Sequence, residues 1–286
     1  MLLPEWVKLK LREDSFVKSY LKKNKITTVC ETLRCPNRPY CYNVKTVSFM
    51  ILGDRCTRRC GFCGSKKLKP YCPDPMEPQK VAKVVKDFSM KYVVITSPTR
   101  DDLADGGAEY YVETVKEVKR LSPETLIEVL VPDFGGNLEA VKRVISSEIV
   151  VFSHNLETVR RLYSSLRDAN YERSLKILKE AKELRAEVIT KSGIMLGVGE
   201  TLDEVLNTLK DLKEVNCDIV TIGQYLQPSK NAYPVVKYIN PEIFDRIAEF
   251  ALKVGFKVVL SRPLVRSSTK AYEAYLAIKE GRYGRL

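Results

Sequence analysis

From residue 47 onward the chain alternates short apolar runs with longer stretches in which apolar residues recur every three or four positions. The runs fall at 47–52, 92–97, 125–131, 148–153, 187–197, 218–223 and 257–262. They are rich in Val and Ile and short enough to be strands buried on both faces. Stretches of helical period fall at 78–90, 106–121, 137–146, 155–165, 172–184, 202–215 and 241–254. Several carry boundary chemistry. Thr201 precedes a first turn holding Asp203 and Glu204, which suit the positive end of a helix. Gly255 follows an apolar helical run, where a left-handed residue closes a helix. Leu121, Ser122, Pro123 and Glu124 form a stop.

Strand-then-helix units, six or seven in a row, predict an α/β fold with a parallel sheet and right-handed crossovers. No GxGxxG follows the first strand, so a full or partial (β/α) TIM-like barrel is favoured over an open doubly wound sheet. Residues 1–46 lack the alternation and are expected to be an N-terminal extension packed on a barrel of residues 47–262. Residues 263–286 are expected to be a C-terminal segment returning across the molecule.

At 286 residues and 44% hydrophobic the chain can bury a full core. No apolar run approaches the roughly 20 residues that span a bilayer, so no membrane role is expected. The opening MLLPEWVKLKLRED lacks the apolar core of a signal peptide. A cytoplasmic location, with thiols kept reduced, is the expectation. The net charge of +12 fits either an acidic partner or a heat-tolerant, Lys/Glu-rich solvated surface. The charge is spread along helices, with no arginine-rich tail, so no nucleic acid is expected as partner.

Cysteine placement narrows the chemistry. Six of the eight cysteines fall between residues 30 and 63, in two triplets: Cys30, Cys35, Cys41 and Cys56, Cys60, Cys63. Each triplet offers three thiolates, one fewer than a [4Fe–4S] cube takes when fully protein-ligated. Two such sets in tandem predict two clusters, each with an open coordination position. The second triplet follows the first strand, at the barrel mouth where this fold builds its sites. Phe62, before its last cysteine, would shield a cube. The competing reading is zinc, with Cys60 and Cys63 as half of a four-ligand site. Around the first triplet Pro36 and Pro39 predict a shaped loop without helix. The one histidine, His154, cannot complete both sets, and is read as a packed strand-end residue more readily than as a catalyst. Cys217 is read as a core thiol and Cys72 as incidental.

The CxxxCxxC spacing with an aromatic before its last cysteine resembles that of the radical S-adenosylmethionine enzymes. The larger order, CETLRCPNRPYC and then CTRRCGFC, resembles the lipoyl synthases within that superfamily. So do ITSPTRDDLADGGAEY, EVLVPDFGG, HNLETVRRLY, YERSLKILKEAK, TKSGIMLGVGET, DIVTIGQYLQPS and PLVRSS, in the family's order over about residues 29–272. Thr269 stands where the family has an aromatic, and Pro98 and Thr99 where it usually has Val and Asp. GFCG replaces the more usual PFCD.

The resemblance implies two [4Fe–4S] clusters and S-adenosyl-L-methionine as cofactors. Cys56, Cys60 and Cys63 would leave an iron open for S-adenosylmethionine. Cys30, Cys35 and Cys41 would share an auxiliary cluster with a serine of the run Arg266-Ser267-Ser268-Thr269, by motif position Ser268. Read from the residues alone, that serine pair is a helix cap. The implied reaction inserts sulfur at C6 and C8 of an octanoyl chain on a lysine. The auxiliary cluster is the implied sulfur donor, and Ser268 the ligand whose release begins its breakdown. Implied partners are an octanoylated lipoyl carrier domain, of an E2 subunit or the glycine-cleavage H protein, and an electron donor. Asn155 and Glu157 are expected to hydrogen-bond S-adenosylmethionine, with Asn155 alternatively capping the next helix. Lys191 is expected to be a surface residue or a partner for the methionine carboxylate. Arg34 and Arg38 would order the first cysteine loop or meet an acidic carrier. The alternatives are a methylthiolating enzyme acting on transfer RNA and a non-catalytic iron–sulfur carrier.

Overall fold

The computed structural model describes residues 4–7 and 15–286. Residues 1–3 and 8–14 of the expected N-terminal extension lie outside the described residues. Two compact units are present, one of residues 15–59 and 64–152, the other of residues 4–7, 60–63 and 153–286.

The first unit opens with α1 (Ser15–Lys23), α2 (Val29–Thr32) and α3 (Arg38–Asn43), then β1 (Ser48–Met50). It continues through α4 (Glu77–Asp87), β2 (Tyr92–Thr96), α5 (Ala108–Leu121), β3 (Leu126–Leu130) and α6 (Leu138–Ile145) to β4 (Val151–Ser153), whose last residue already belongs to the second unit. The β-branched runs of β2 and β3 pair in parallel from Tyr92↔Leu126 to Thr96↔Leu130, and β1 joins β2 with Met50 opposite Thr96. Parallel strands need helices over their faces. The apolar stripes of α4 and α5 supply buried Val81, Val85, Tyr111 and Val115.

The second unit holds α7 (Arg160–Leu166), α8 (Tyr171–Leu184), β5 (Ile189–Leu196), α9 (Leu202–Glu214), β6 (Ile219–Gln224), α10 (Pro241–Lys253), β7 (Val258–Ser261), α11 (Ala271–Lys279) and β8 (Gly284–Arg285). Leu178, Leu209, Val220, Ile222, Phe244, Ile247 and Val259 form its core, all essentially free of solvent. Thr201 and Glu204 close a reciprocal capping box on α9. Asn240 caps α10, whose Pro241 occupies the first turn, where a missing N–H costs nothing.

The strands follow sequence order from β1 to β8 in a parallel sheet that is not closed. This is the α/β, partial TIM-like barrel expected from the alternation. An order without reversal has no topological switch point, which separates it from a doubly wound sheet.

Three local features differ from the sequence reading. The first cysteine triplet is not helix-free: Cys30 lies in α2 and Cys41 in α3. Pro39 sits in the first turn of α3, where it starts the helix instead of breaking it. The helix expected from residue 155 begins only at Arg160, because residues 154–157 run on beside β5. There His154 N–H donates to Lys191 O at 3.0 Å and Glu157 N–H to Gly193 O at 2.8 Å, while Met195 N–H donates to Glu157 O at 2.9 Å. The short β8 pairs with β7 through Val258↔Gly284 and has no apolar run to announce it.

Candidate functional site

None of the eight cysteines is paired in a disulfide. In the first unit, α2 and α3 bring the first triplet together. Thr28 caps α2, its hydroxyl accepting from Glu31 N–H at 3.2 Å, and Met50 N–H of β1 bonds Thr27 O at 3.0 Å, so the turn before Cys30 is tied to the strand. Cys35 N–H donates to Cys30 O at 3.1 Å, and Cys41 N–H to Asn37 O at 3.0 Å. Burial pushes the Cys30 thiol up to about 12 and the Cys41 thiol to about 11, with Cys35 adding to both shifts through its proximity. Buried thiols of this kind become thiolates when a metal displaces the proton, so loading of the triplet releases protons. Arg38 forms an ion pair with Glu31 at 3.3 Å. That contact ties α3 to α2 and orders the loop between the cysteines.

The second triplet follows β1. Cys56 belongs to the first unit, and Cys60 and Cys63 to the second. In the first unit Cys56 N–H donates to Lys66 O at 2.9 Å, and Arg58 N–H lies 3.4 Å from Cys56 Sγ. In the second, Gly61 N–H donates to Leu166 O at 2.7 Å, Gly61 O accepts from Tyr233 N–H at 2.8 Å, and Asp168 N–H lies 3.3 Å from Cys60 Sγ. Backbone donors aimed at sulfur stabilise thiolate charge and tune a cluster that the sulfur holds. Phe62 packs against the core of the second unit, half-buried. Among the described residues no three His, Cys, Asp or Glu side chains converge as one metal ion would require. The zinc reading needs such convergence. A cubane does not, since each thiolate takes a different iron.

Sequence reasoning missed two arginines that hold the loops around the second triplet. Arg58 bonds Asp101 and Asp133. Arg100, only 1% exposed, makes a two-pronged bond with Asp102 and donates to Leu52 O at 3.3 Å and Tyr71 O at 3.0 Å. Leu52 and Tyr71 flank Cys56–Cys63 on either side in sequence. A basic pair inside a cysteine loop, followed by the TRDD run, was the available signal.

The second unit gathers the remaining candidates beside β5. Asn155 is buried; its amide donates to Glu157 Oε1 at 3.0 Å and to Ser267 Oγ at 2.7 Å. Its Oδ1 is buried and has no partner among the described residues. Asn155 therefore caps no helix, and α7 begins after Val159 without a side-chain cap. Burial raises the Glu157 carboxyl above its usual range, against the opposing pull of Arg167 and the Asn155 amide. Glu157 has a left-handed backbone, φ 68°, which turns the chain back toward β5. Gly193 permits this cluster. A Cβ there would stand 2.8 Å from both Asn155 Oδ1 and Thr221 Oγ1.

Lys191 is 1% exposed, which corrects the surface reading. It lies two residues before Gly193 on β5 and shares its face, the one lined by Asn155 and Thr221. An apolar strand pattern on either side of a lysine did not reveal which face it took. His154 is fully buried, with Nε2 2.9 Å from Ser174 Oγ, and packs as a strand-end residue. Ser267 accepts from Asn155, whereas the half-buried Ser268 hydroxyl makes no hydrogen bond among the described residues. The serines cap no helix, since α11 begins after Lys270.

The buried thiols, the N–H groups directed at sulfur and the orphaned Asn155 oxygen fit iron–sulfur clusters and a polar, zwitterionic ligand. Comparison with known proteins agrees in kind. The sequence pattern of the radical SAM superfamily matches residues 50–212. Curated lipoyl synthases are similar over nearly the whole chain. That of Caldicellulosiruptor saccharolyticus is 49% identical, covering 94% of this chain and 96% of its own. That of Alkaliphilus metalliredigens is 50% identical, covering 95% of each, and that of Aquifex aeolicus is 49% identical, covering 91% and 95%. Among solved structures, methylornithine synthase superposes with a TM-score of 0.57 at 15% identity, covering 83% of this chain and 69% of that one. The FeFe-hydrogenase maturase of Carboxydothermus hydrogenoformans gives 0.60 at 15%, covering 79% and 55%. These two likenesses concern the fold alone.

Proposed function

The chain belongs to the lipoyl synthases of the radical SAM superfamily, and from that premise we propose a division of labour between its two cysteine triplets. Lipoyl synthase activity, a sulfur transfer dependent on S-adenosylmethionine and a [4Fe–4S] cluster, follows from membership. Cys56, Cys60 and Cys63 hold that cluster and leave one iron for S-adenosylmethionine. Cys30, Cys35 and Cys41, with Ser268, hold a second cluster that donates sulfur to C6 and C8 of an octanoyl chain on a lipoyl-domain lysine. The carrier is the lipoyl domain of an E2 subunit or the glycine-cleavage H protein.

The observation that carries this reading is the gathering of the first triplet. Cys35 lies close enough to Cys30 and Cys41 to raise the proton affinity of both, yet only three thiols are present. When bound, the cofactors supply a carbon-centred radical able to take hydrogen from unactivated carbon, which no side-chain acid or base does at useful rates. The chain's own residues bind and orient. Asn155 presents its unpartnered oxygen, and its amide keeps Glu157 and Ser267 in place. Lys191 offers a buried positive charge on the same face for a carboxylate. Phe62 shields apolar volume beside the cysteines. Ser268 offers a hydroxyl that no neighbour competes for, a hard and exchangeable ligand beside three thiolates.

The net charge of +12 favours encounter with an acidic carrier domain. An electron donor is the other partner. No helix is long and apolar enough to cross a membrane. The methylthiolating and iron–sulfur carrier alternatives are not favoured, given relatives named lipoyl synthase along almost the entire chain. Anaerobic turnover of reconstituted protein with an octanoyl-lysine peptide tests the proposal by mass spectrometry. A gain of two sulfurs is expected; release of 5′-deoxyadenosine with no sulfur gain would overturn it.

A further inference from the structure

Two of the three residues between Cys56 and Cys60, Thr57 and Arg58, stitch the second cysteine loop to the ends of two strands. Thr57 donates to Thr99 O through its N–H at 3.1 Å and its hydroxyl at 3.0 Å, and its Oγ1 accepts from Asp101 N–H at 3.1 Å. Arg58 reaches across the segment that follows β2. Its guanidinium meets Asp101 in a two-pronged contact, 2.9 Å on each side, and one of the same nitrogens lies 2.6 Å from Asp133 Oδ1 after β3. Asp133 is itself held by Gly135 N–H at 3.1 Å. Its side chain is 0% exposed, that of Arg58 10% and that of Asp101 42%.

The two carboxylate partners of Arg58 are therefore unequal. The Asp101 pair is open to water and screened, so it contributes little alone. The Asp133 carboxylate is fully withdrawn from water and needs its cation, and an arginine fork locks orientation as well as charge. The same Arg58 directs its backbone N–H at Cys56 Sγ, 3.4 Å away. A residue bonded to the sulfur at its backbone is thus fastened at the far end of its side chain.

We propose that Asp133 is a positioning residue for the Cys56 corner of the cluster that binds S-adenosylmethionine, acting through Arg58. This rests on the assignment of Cys56, Cys60 and Cys63 to that cluster. With Asp133 neutralised, Arg58 keeps only its solvent-exposed partner, the N–H loosens from the sulfur, and iron leaves this corner faster.

The test uses full-length, reconstituted and reduced protein. Its readout is the half-life, under a ferrous chelator, of the electron paramagnetic signal that changes when S-adenosylmethionine is added. In Asp133→Asn, and in Arg58→Lys, which keeps the charge and loses the fork, that half-life is expected to shorten about tenfold or more, the usual effect of losing an outer partner of a metal ligand. Arg143→Lys, which alters only an exposed pair with Glu109, serves as control and keeps the parent half-life. If Asp133→Asn does not fold, Arg58→Lys and the exposed Asp101→Asn decide, the latter with a smaller loss in the same direction. A parent-like half-life in the folded variants, even with a lowered melting temperature, would mean a structural salt bridge only and overturn the proposal. A parent protein with no responsive signal would instead overturn the cluster assignment, and the proposal with it.

Discussion

The side-chain amide of Asn155 donates to the hydroxyl of Ser267 across 2.7 Å, joining the segment after β4 to a serine 112 residues further along the chain. Ser267 is thereby committed, and its neighbour Ser268 is left uncommitted among the described residues. Replacing Ser268 by Ala is expected to abolish sulfur insertion while 5′-deoxyadenosine is still released. Ser267→Ala should retain sulfur insertion and lose about 1 kcal/mol of stability with the hydrogen bond. Product analysis by mass spectrometry, beside denaturant unfolding, separates the two. The reverse assignment of effects would make Ser267 the ligand.

Gly193 occupies the only kind of residue that leaves Asn155 where it is, since a Cβ would approach Asn155 Oδ1 and Thr221 Oγ1 to 2.8 Å each. Gly193→Ala is expected to displace the Asn155 amide and weaken S-adenosylmethionine binding, at a cost of about 1–3 kcal/mol in stability from overpacking. Calorimetric titration with S-adenosylmethionine would reveal it; unchanged affinity would place the ligand elsewhere.

Glu77, at the start of α4, accepts from Leu52 N–H at 2.6 Å. Burial pushes its carboxyl up to about 7, against the pull of that N–H. The folded protein thus holds a proton that the unfolded chain releases near its ordinary value of about 4.3. This group's contribution is complete below the unfolded value and is lost as pH rises through about 7. Glu77→Gln should flatten the stability profile over that window. Denaturant midpoints from pH 4 to pH 8 measure it, and identical slopes in parent and variant would contradict the expectation.

Asp218, before β6, behaves oppositely. Burial favours its neutral form, but Lys182 at 2.5 Å, Lys257 at 2.7 Å and the N–H of Thr190 at 3.0 Å outweigh that and hold the carboxyl below its usual range. Its stabilisation is present above about 3.9 and is lost as pH falls through the lower folded value. Asp218→Asn leaves Lys182 facing an uncharged partner and should cost about 3 kcal/mol at neutral pH, the low end for a broken buried pair because Lys257 is partly solvated. The parent–variant gap should close in acid, as thermal unfolding across pH would report.

Much of the fold was legible because its signals are local. Thr201 and Glu204 sit three residues apart and formed the cap their types imply. The apolar runs became strands, since length and β-branching are read one segment at a time. The misreadings were also local, and each was overruled from outside its own segment. Pro39 looked like a breaker, but in the first turn of α3 its missing N–H has no partner to lose. Residues 155–157 carry helical spacing, yet backbone groups of β5 were available to them and that pairing won.

By itself the sequence determined the alternation of strand and helix, the two sets of three thiolates and the family to which they point. These depend on period, residue type and spacing, all properties of one dimension. Tertiary structure decided that Lys191 is buried, that Ser267 and not Ser268 meets Asn155, and that Arg58 bridges Asp101 and Asp133. Those contacts depend on strand register and on where each crossover delivers the next strand end. A one-residue change in the register of β5 would send Lys191 to the opposite face while leaving the sequence pattern unaltered.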